Sequence, residues 1–284
     1  MTTKEPKTIF GQFIEYARSV DKVWLKTWII IYVGFLILDA YTHIRYGNGT
    51  VTREINLFGD TYAIELISNG TFIGTTILKF AGIILNVVYA FVKFPKDHLL
   101  QIALALTLLA DTLLVLNNTS PIGVLVFCFA QYFHTSRFMG SSPKFFIPWS
   151  ILLLTLLFMG WIYQIDSIFV VGFVYAASLI VNLILVRKWY NATRKEKKSS
   201  EIAKRASFCA FYGFVLFVCC DSCVGVSFFS LIGVLPAFLY GFANYFSWLF
   251  YYVSQVLISN SSVLVRDQKK SQIIKNSLGE SIQP

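Results

Sequence analysis

Apolar runs separated by short polar links set the pattern along this chain. They predict helices at about Trp28–Ala40, Thr71–Val92, His98–Leu116, Ile122–Phe138, Phe145–Tyr163, Ile168–Val186, Ala206–Val226 and Pro236–Ser259. A helix of about 20 apolar residues crosses the ~30 Å hydrocarbon core of a bilayer. The first run is short for a crossing and needs residues from either flank, with Trp24 and Tyr41 as interface anchors. The second has an alternative start at Tyr62, while Asn117–Ser120 leaves room only for a tight turn. Residues 1–26 form a polar, basic segment, and residues 261–284 a basic tail expected to be disordered. The expected architecture is an all-α membrane protein, a bundle of about eight transmembrane helices filling one membrane domain over residues 27–260.

Composition agrees with the pattern. Of 284 residues 56% are hydrophobic and only 14% charged, where soluble domains average about 25% charged. Mean hydropathy is +0.64. The segment before Lys26 has no short apolar core, so no cleavable signal peptide is expected.

A net charge of +9 raises the question of nucleic acid, but its distribution follows topology instead. With eight spans both termini share one side, and 21 of the 24 lysines and arginines fall on that side. Positive charge concentrates on the cytosolic face of membrane proteins. Both termini are therefore expected to be cytosolic, and no nucleic-acid partner is expected. Sequons at Asn48, Asn69 and Asn117 fall on the outer side, but others at Asn191 and Asn260 fall inside, so the motif decides nothing.

The five cysteines, Cys128, Cys209, Cys219, Cys220 and Cys223, all lie in apolar runs. The Cys220–Cys223 pair has the CxxC spacing, but no second pair exists, and His43, His98 and His134 sit in different segments. Small packing residues explain them. No metal and no cofactor are expected.

The informative residues are those that lipid rejects. Asp111 interrupts IALALTLLADTLLVL and Asp221 interrupts FYGFVLFVCCDSCVGV. A carboxylate at the centre of a membrane helix costs about 2.5–3.5 kcal/mol on insertion scales and persists with a partner or a task. Thr75, Lys79, Gly82 and Asn86 share one helical face, as do Asn244, Trp248, Tyr251 and Gln255, and Gln131 shares one with His134 or Thr135. Counting residues from the helix ends brings Asp111, Asp221, Lys79 and Asn244 to a similar depth near the outer side, with His134 and Gln255 nearer the cytosol. An Asp111–Asp221–Lys79 cluster is therefore permitted. A single ion pair that pins helices together is the plainer alternative, but two acids and one lysine leave a surplus carboxyl. A protonated carboxyl beside an ionised one is the arrangement acid/base hydrolysis uses.

These segments resemble the YhhN-like lysoplasmalogenases. LTLLADTLLVL (Leu106–Leu116) looks like the family's first aspartate motif, and GVLVFCFAQYF (Gly123–Phe133) like the span after it. FVLFVCCDSCVGV (Phe214–Val226) resembles the second aspartate segment, and YYVSQVLISNS (Tyr251–Ser261) the terminal Tyr-x-x-x-Gln segment. ILKFAGI (Ile77–Ile83) is similar to the family's Lys-Pro-Leu motif. Phe80 stands in place of that proline, Gln131 where many members have histidine, His134 where tyrosine is common, and Cys220 where serine is usual.

The resemblance implies hydrolysis of the vinyl ether bond of a lysoplasmalogen drawn from the bilayer. The products are a fatty aldehyde and a glycerophospho-ethanolamine or -choline. Asp111 and Asp221 are the expected catalytic acids; Lys79, Asn244, Gln131, His134, Tyr251 and Gln255 are the expected supporting or substrate-binding residues. The expected location is an integral one, in the plasma membrane of a prokaryote or the endoplasmic reticulum of a eukaryote. A transporter or channel using the same Asp/Lys cluster is the competing reading, with Gly82, Gly172, Gly213 and Gly241 marking moving helices. A zinc hydrolase of the ceramidase type would need clustered histidines, and a scaffold would use the polar stripes only to join helices.

Overall fold

The computed structural model describes residues 8–9, 11–14, 20, 22–46, 48–57, 60–69, 73–116, 120–139, 146–196, 199–231, 233–236 and 238–262. Side chains between 42 and 74, and those of 76, 115, 116, 146 and 231, lie outside that description.

Eight long helices run through the described residues. They are α1 (Lys22–Tyr46), α2 (Ile73–Lys93), α3 (His98–Leu116), α4 (Pro121–Phe138), α5 (Phe146–Ile162), α6 (Ser167–Lys195), α7 (Glu201–Leu231) and α8 (Phe238–Ser259). Four begin on side chains suited to cap them. Asp97 Oδ1 accepts from Leu100 N at 3.1 Å ahead of α3, and Asp166 Oδ1 from Ile168 N at 3.1 Å ahead of α6. Ser200 does the same for Ala203 N before α7 at 3.1 Å. Ser120 precedes Pro121, whose fixed φ suits a first helical turn, and accepts from Gly123 N at 3.4 Å.

Two expectations change. The chain is not purely helical: β1 (Asn48–Leu57) and β2 (Asp60–Asn69) form an antiparallel hairpin, with Asn48 opposite Asn69 and Leu57 opposite Asp60. The reason is local, since TVTREINL and TYAIELIS alternate apolar with polar residues and are rich in β-branched types. Tyr62 therefore belongs to a strand, and α2 begins at Ile73. The basic tail does not start loose either, because Ser261 and Ser262 are buried in the bundle. The expectations for residues 1–7 and 263–284 lie outside the described residues.

Six helices close a circle. In spatial order α2, α3, α4, α6, α7 and α8 each pack on the next, and α8 returns to α2. α5 packs on α6 from outside. α1 packs on α2 and reaches α8, where Tyr32 Oη donates to Leu249 O at 3.2 Å and the Phe35 ring lies tilted against Trp248 and Tyr252. Short links fix α2, α3 and α4 as antiparallel neighbours, and displacement of α5 lets α4 meet α6 directly.

Two glycines allow α8 to cross its neighbours closely. A Cβ on Gly82 would overlap the Tyr252 ring, and one on Gly213 would lie 2.8 Å from Ile258 Cγ1 and 3.1 Å from Ile258 N. Small residues at crossings are how membrane helices approach closely. α8 is thereby held against both α2 and α7.

The interior of the circle sets polar side chains within an apolar core, and its outer surface is apolar. Asn86, Thr107, Gln131, His134, Thr135, Asn182, Ser254 and Gln255 are buried. Ile29, Ile30, Ile37, Ile147, Leu154, Trp161, Phe173, Phe238 and Phe242 are exposed. Contiguous apolar surface of this extent marks a membrane or protein interface. α1, α6 and α7 are long and apolar enough to cross a bilayer.

Candidate functional site

Inside the circle, Asp111 and Asp221 come together. Asp111, on α3, is 7% exposed, and its Oδ2 accepts the Tyr251 hydroxyl of α8 in a short hydrogen bond. Asp221, on α7, is half-buried, and its Oδ2 accepts the Tyr175 hydroxyl of α6 at 2.6 Å. The two carboxyls are close enough for their charges to interact, and the Cys220 thiol adjoins both. Four helices thus supply one acid–phenol pair from α3 and α8 and another from α7 and α6.

Aromatic rings run continuously between the two tyrosines. Tyr175 lies 5.5 Å from Phe127, Phe127 6.4 Å from Phe217, and Phe217 5.8 Å from Tyr251, centroid to centroid.

Lys79 is near this site but does not reach the acids. Its ammonium sits 4.1 Å from the Trp248 ring centroid and 5.5 Å from that of Phe35, and the neighbouring acidic charge is that of Asp39 on α1. Trp248 in turn meets Tyr251 edge-on at 5.6 Å. Lys79 therefore packs against an indole and not against either aspartate of the pair. Cation–π contact with tryptophan accounts for that position. Asn244 lies seven residues before Tyr251 on α8, is half-buried, and its carbonyl accepts the Ser247 hydroxyl at 2.7 Å.

Gln131, His134 and Gln255 form a separate, deeper layer. Asn182 of α6 donates to Gln131 Oε1 at 2.8 Å and to Gln131 O at 3.0 Å, while its Oδ1 accepts from Thr135 at 2.8 Å. His134 stacks on Phe138 and meets Phe214 edge-on. Gln131 Nε2, His134 Nδ1 and Gln255 Nε2 are buried without a hydrogen-bond partner. Gln131 and Gln255 each lie six residues from a shared anchor, Arg137 and Ser261, whereas Asp111 lies fourteen from Asp97 at the same anchor. At about 1.5 Å per residue the glutamines sit roughly 12 Å below the acids.

That anchor is the third polar layer. Arg137 Nε meets Asp97 Oδ2 at 3.1 Å, and its two terminal nitrogens donate to Ser261 Oγ at 2.8 Å and Ser261 O at 2.5 Å. Ser262 donates to Asp97 Oδ2 at 2.7 Å, and Tyr89 to Asn260 Oδ1 at 2.6 Å. Among the described residues no three His, Cys, Asp or Glu side chains gather as a metal site.

Sequence reasoning overlooked Tyr175 and Asn182. A signal was present, since Tyr175, Ser178 and Asn182 recur at i, i+3 and i+7 in FVVGFVYAASLIVNLILV, one polar face on an otherwise apolar helix.

A helical membrane protein with a carboxylate pair in a polar interior is the class that this fold and site define. The family model of the YhhN family matches residues 74–262, about two thirds of the 284 residues; the chain belongs to the YhhN family. The match contains both acid–phenol pairs and ends at Ser262 in the anchor, leaving α1, the hairpin and Asp39 outside it. No curated protein and no solved structure matches the chain.

Proposed function

We propose that this chain is a membrane-embedded hydrolase cleaving the vinyl ether bond of lysoplasmalogens, with Asp111 and Asp221 as its acid/base pair. What supports the reading is two carboxyls in apolar helices, near enough for their charges to interact, each hydrogen-bonded by a phenol, with aromatic rings running between the two phenols. Membership of the YhhN family, which is associated with lysoplasmalogenase activity, supports it.

The chemistry follows from the bond. A vinyl ether is cleaved by protonation at the carbon remote from oxygen, which leaves an oxocarbenium ion. One carboxylic acid donates that proton. Water adds to the carbon bonded to oxygen while the second carboxylate takes a water proton, giving a neutral hemiacetal. Its collapse returns one proton to the first carboxylate and passes the other to the departing glycerol oxygen. The products are a fatty aldehyde and a glycerophosphodiester, and both acids regain their starting state. Division of labour between two carboxyls parallels that in glycosidases, whose transition state is also oxocarbenium-like. The alkenyl chain lies along Phe127 and Phe217, while Gln131, His134, Gln255, Lys79 and Asn244 shape the surrounding polar interior.

All eight helices cross the membrane in this reading, with both termini cytosolic, because 21 of the 24 basic residues then fall inside. The lipid comes laterally from the bilayer. Purified protein in detergent releases fatty aldehyde from a lysoplasmalogen, and Asp111→Asn and Asp221→Asn each lower that release by on the order of 100-fold or more, within the range for loss of an acid/base group. Undiminished release in either variant rules out the paired mechanism.

A further inference from the structure

We propose that Tyr175 is a positioning residue for Asp221, fixing one carboxylate oxygen so that the other faces the reacting vinyl ether. This role rests on the lysoplasmalogenase reading and adds to it a residue from α6.

The two acids are not held alike. Asp111 is 7% exposed and Tyr251, its phenol partner, 5% exposed, so burial itself restricts that carboxyl. Asp221 and Tyr175 are both half-buried, on the α6–α7 side of the site. Packing encloses this second pair less completely than the first, so hydrogen bonds do more to set how the Asp221 carboxyl is turned. The 2.6 Å bond from Tyr175 Oη to Asp221 Oδ2 is the direct one, and the Cys220 thiol adjoins the same carboxyl. It occupies Oδ2 and leaves Oδ1 outside that bond.

Tyr175 is fixed in turn. Its ring packs 5.5 Å from Phe127, which joins through Phe217 to Tyr251. The arc of rings therefore ties the position of one phenol to that of the other, and through them one carboxyl to its partner. Geometry matters here because misplacing a catalytic group by about 1 Å can cost on the order of 100-fold in rate.

The test is a double-mutant cycle on aldehyde release with purified full-length protein. Tyr175→Phe keeps the ring and its contact with Phe127 and removes only the hydroxyl. We expect kcat to fall about 10- to 100-fold, the size of one hydrogen bond to a charged group, with KM changed less than about twofold because the phenol acts through the acid. In an Asp221→Asn background the same substitution should have little further effect, since the residue it positions is no longer the acid. Size-exclusion profile and thermal unfolding midpoint in detergent verify that Tyr175→Phe is folded. Full additivity of the two substitutions, or a rise in KM with kcat intact, overturns the positioning role while leaving the hydrolase reading standing. No aldehyde release from the wild type removes the hydrolase reading and this role with it.

Discussion

Arg137 shows what single residues contribute outside the acid pair. It is nearly buried, as is Asp97, and the three donors it uses go to Asp97 and Ser261. The pair ties the α2–α3 turn, the end of α4 and the chain just past α8 to one point. Removing one member of such a pair leaves the other charged and stranded, at a cost of about 3–5 kcal/mol. Arg137→Met should therefore destabilise strongly in an unfolding titration with SDS. Arg137→Met combined with Asp97→Asn should recover part of the loss, because the stranded charge is gone. If the double variant is no better than the single one, desolvation is not what the pair manages.

At the scale of elements, α8 is the organising helix. It supplies Tyr251 to Asp111, Trp248 to Lys79, and the segment that Arg137 holds. It can do all three because Gly82 and Gly213 let α2 and α7 come close on either side. Gly213→Ala sets a methyl group against Ile258, partly against its backbone, and overpacking of this kind costs about 1–3 kcal/mol. Gly172→Ala, on α6 with open space around it, should leave stability unchanged or slightly raised. Thermal midpoints of the two variants in detergent compare them directly. Equal midpoints count against close α7–α8 packing as a requirement of the fold.

For the whole molecule the prediction is topological. With both termini cytosolic, the β1–β2 hairpin lies outside, as does the acid-bearing half of the circle. A Gly49→Cys variant should react with an impermeant maleimide in intact cells. Cysteines introduced at Thr3 or Gln283 should react only after permeabilisation. The reverse pattern inverts the orientation and moves the acids to the cytosolic half. Basic residues at the ends of α6 and α7 already crowd one face, with Arg187, Lys188, Arg194, Lys195, Lys204 and Arg205 placed where the two helices join.

The sequence by itself marked the helices, because a long apolar run is a local signal. α3 begins and ends at His98 and Leu116, the expected bounds, whereas α1, α6 and α7 run beyond theirs. It also singled out Asp111 and Asp221, since a charge in an apolar run stands out without knowledge of its neighbours. The hairpin escaped notice because an isolated strand pair carries a weak periodic signal beside long hydrophobic runs. Only the tertiary structure decided who touches whom. Depth counting placed Lys79 level with the acids but could not show that it packs against Trp248 instead. It could not show that Tyr175, an ordinary aromatic in an apolar helix, turns inward to Asp221. Facing and depth follow from one helix, whereas contact depends on the order in which six helices close their circle, and that order is set by packing between residues far apart in the chain.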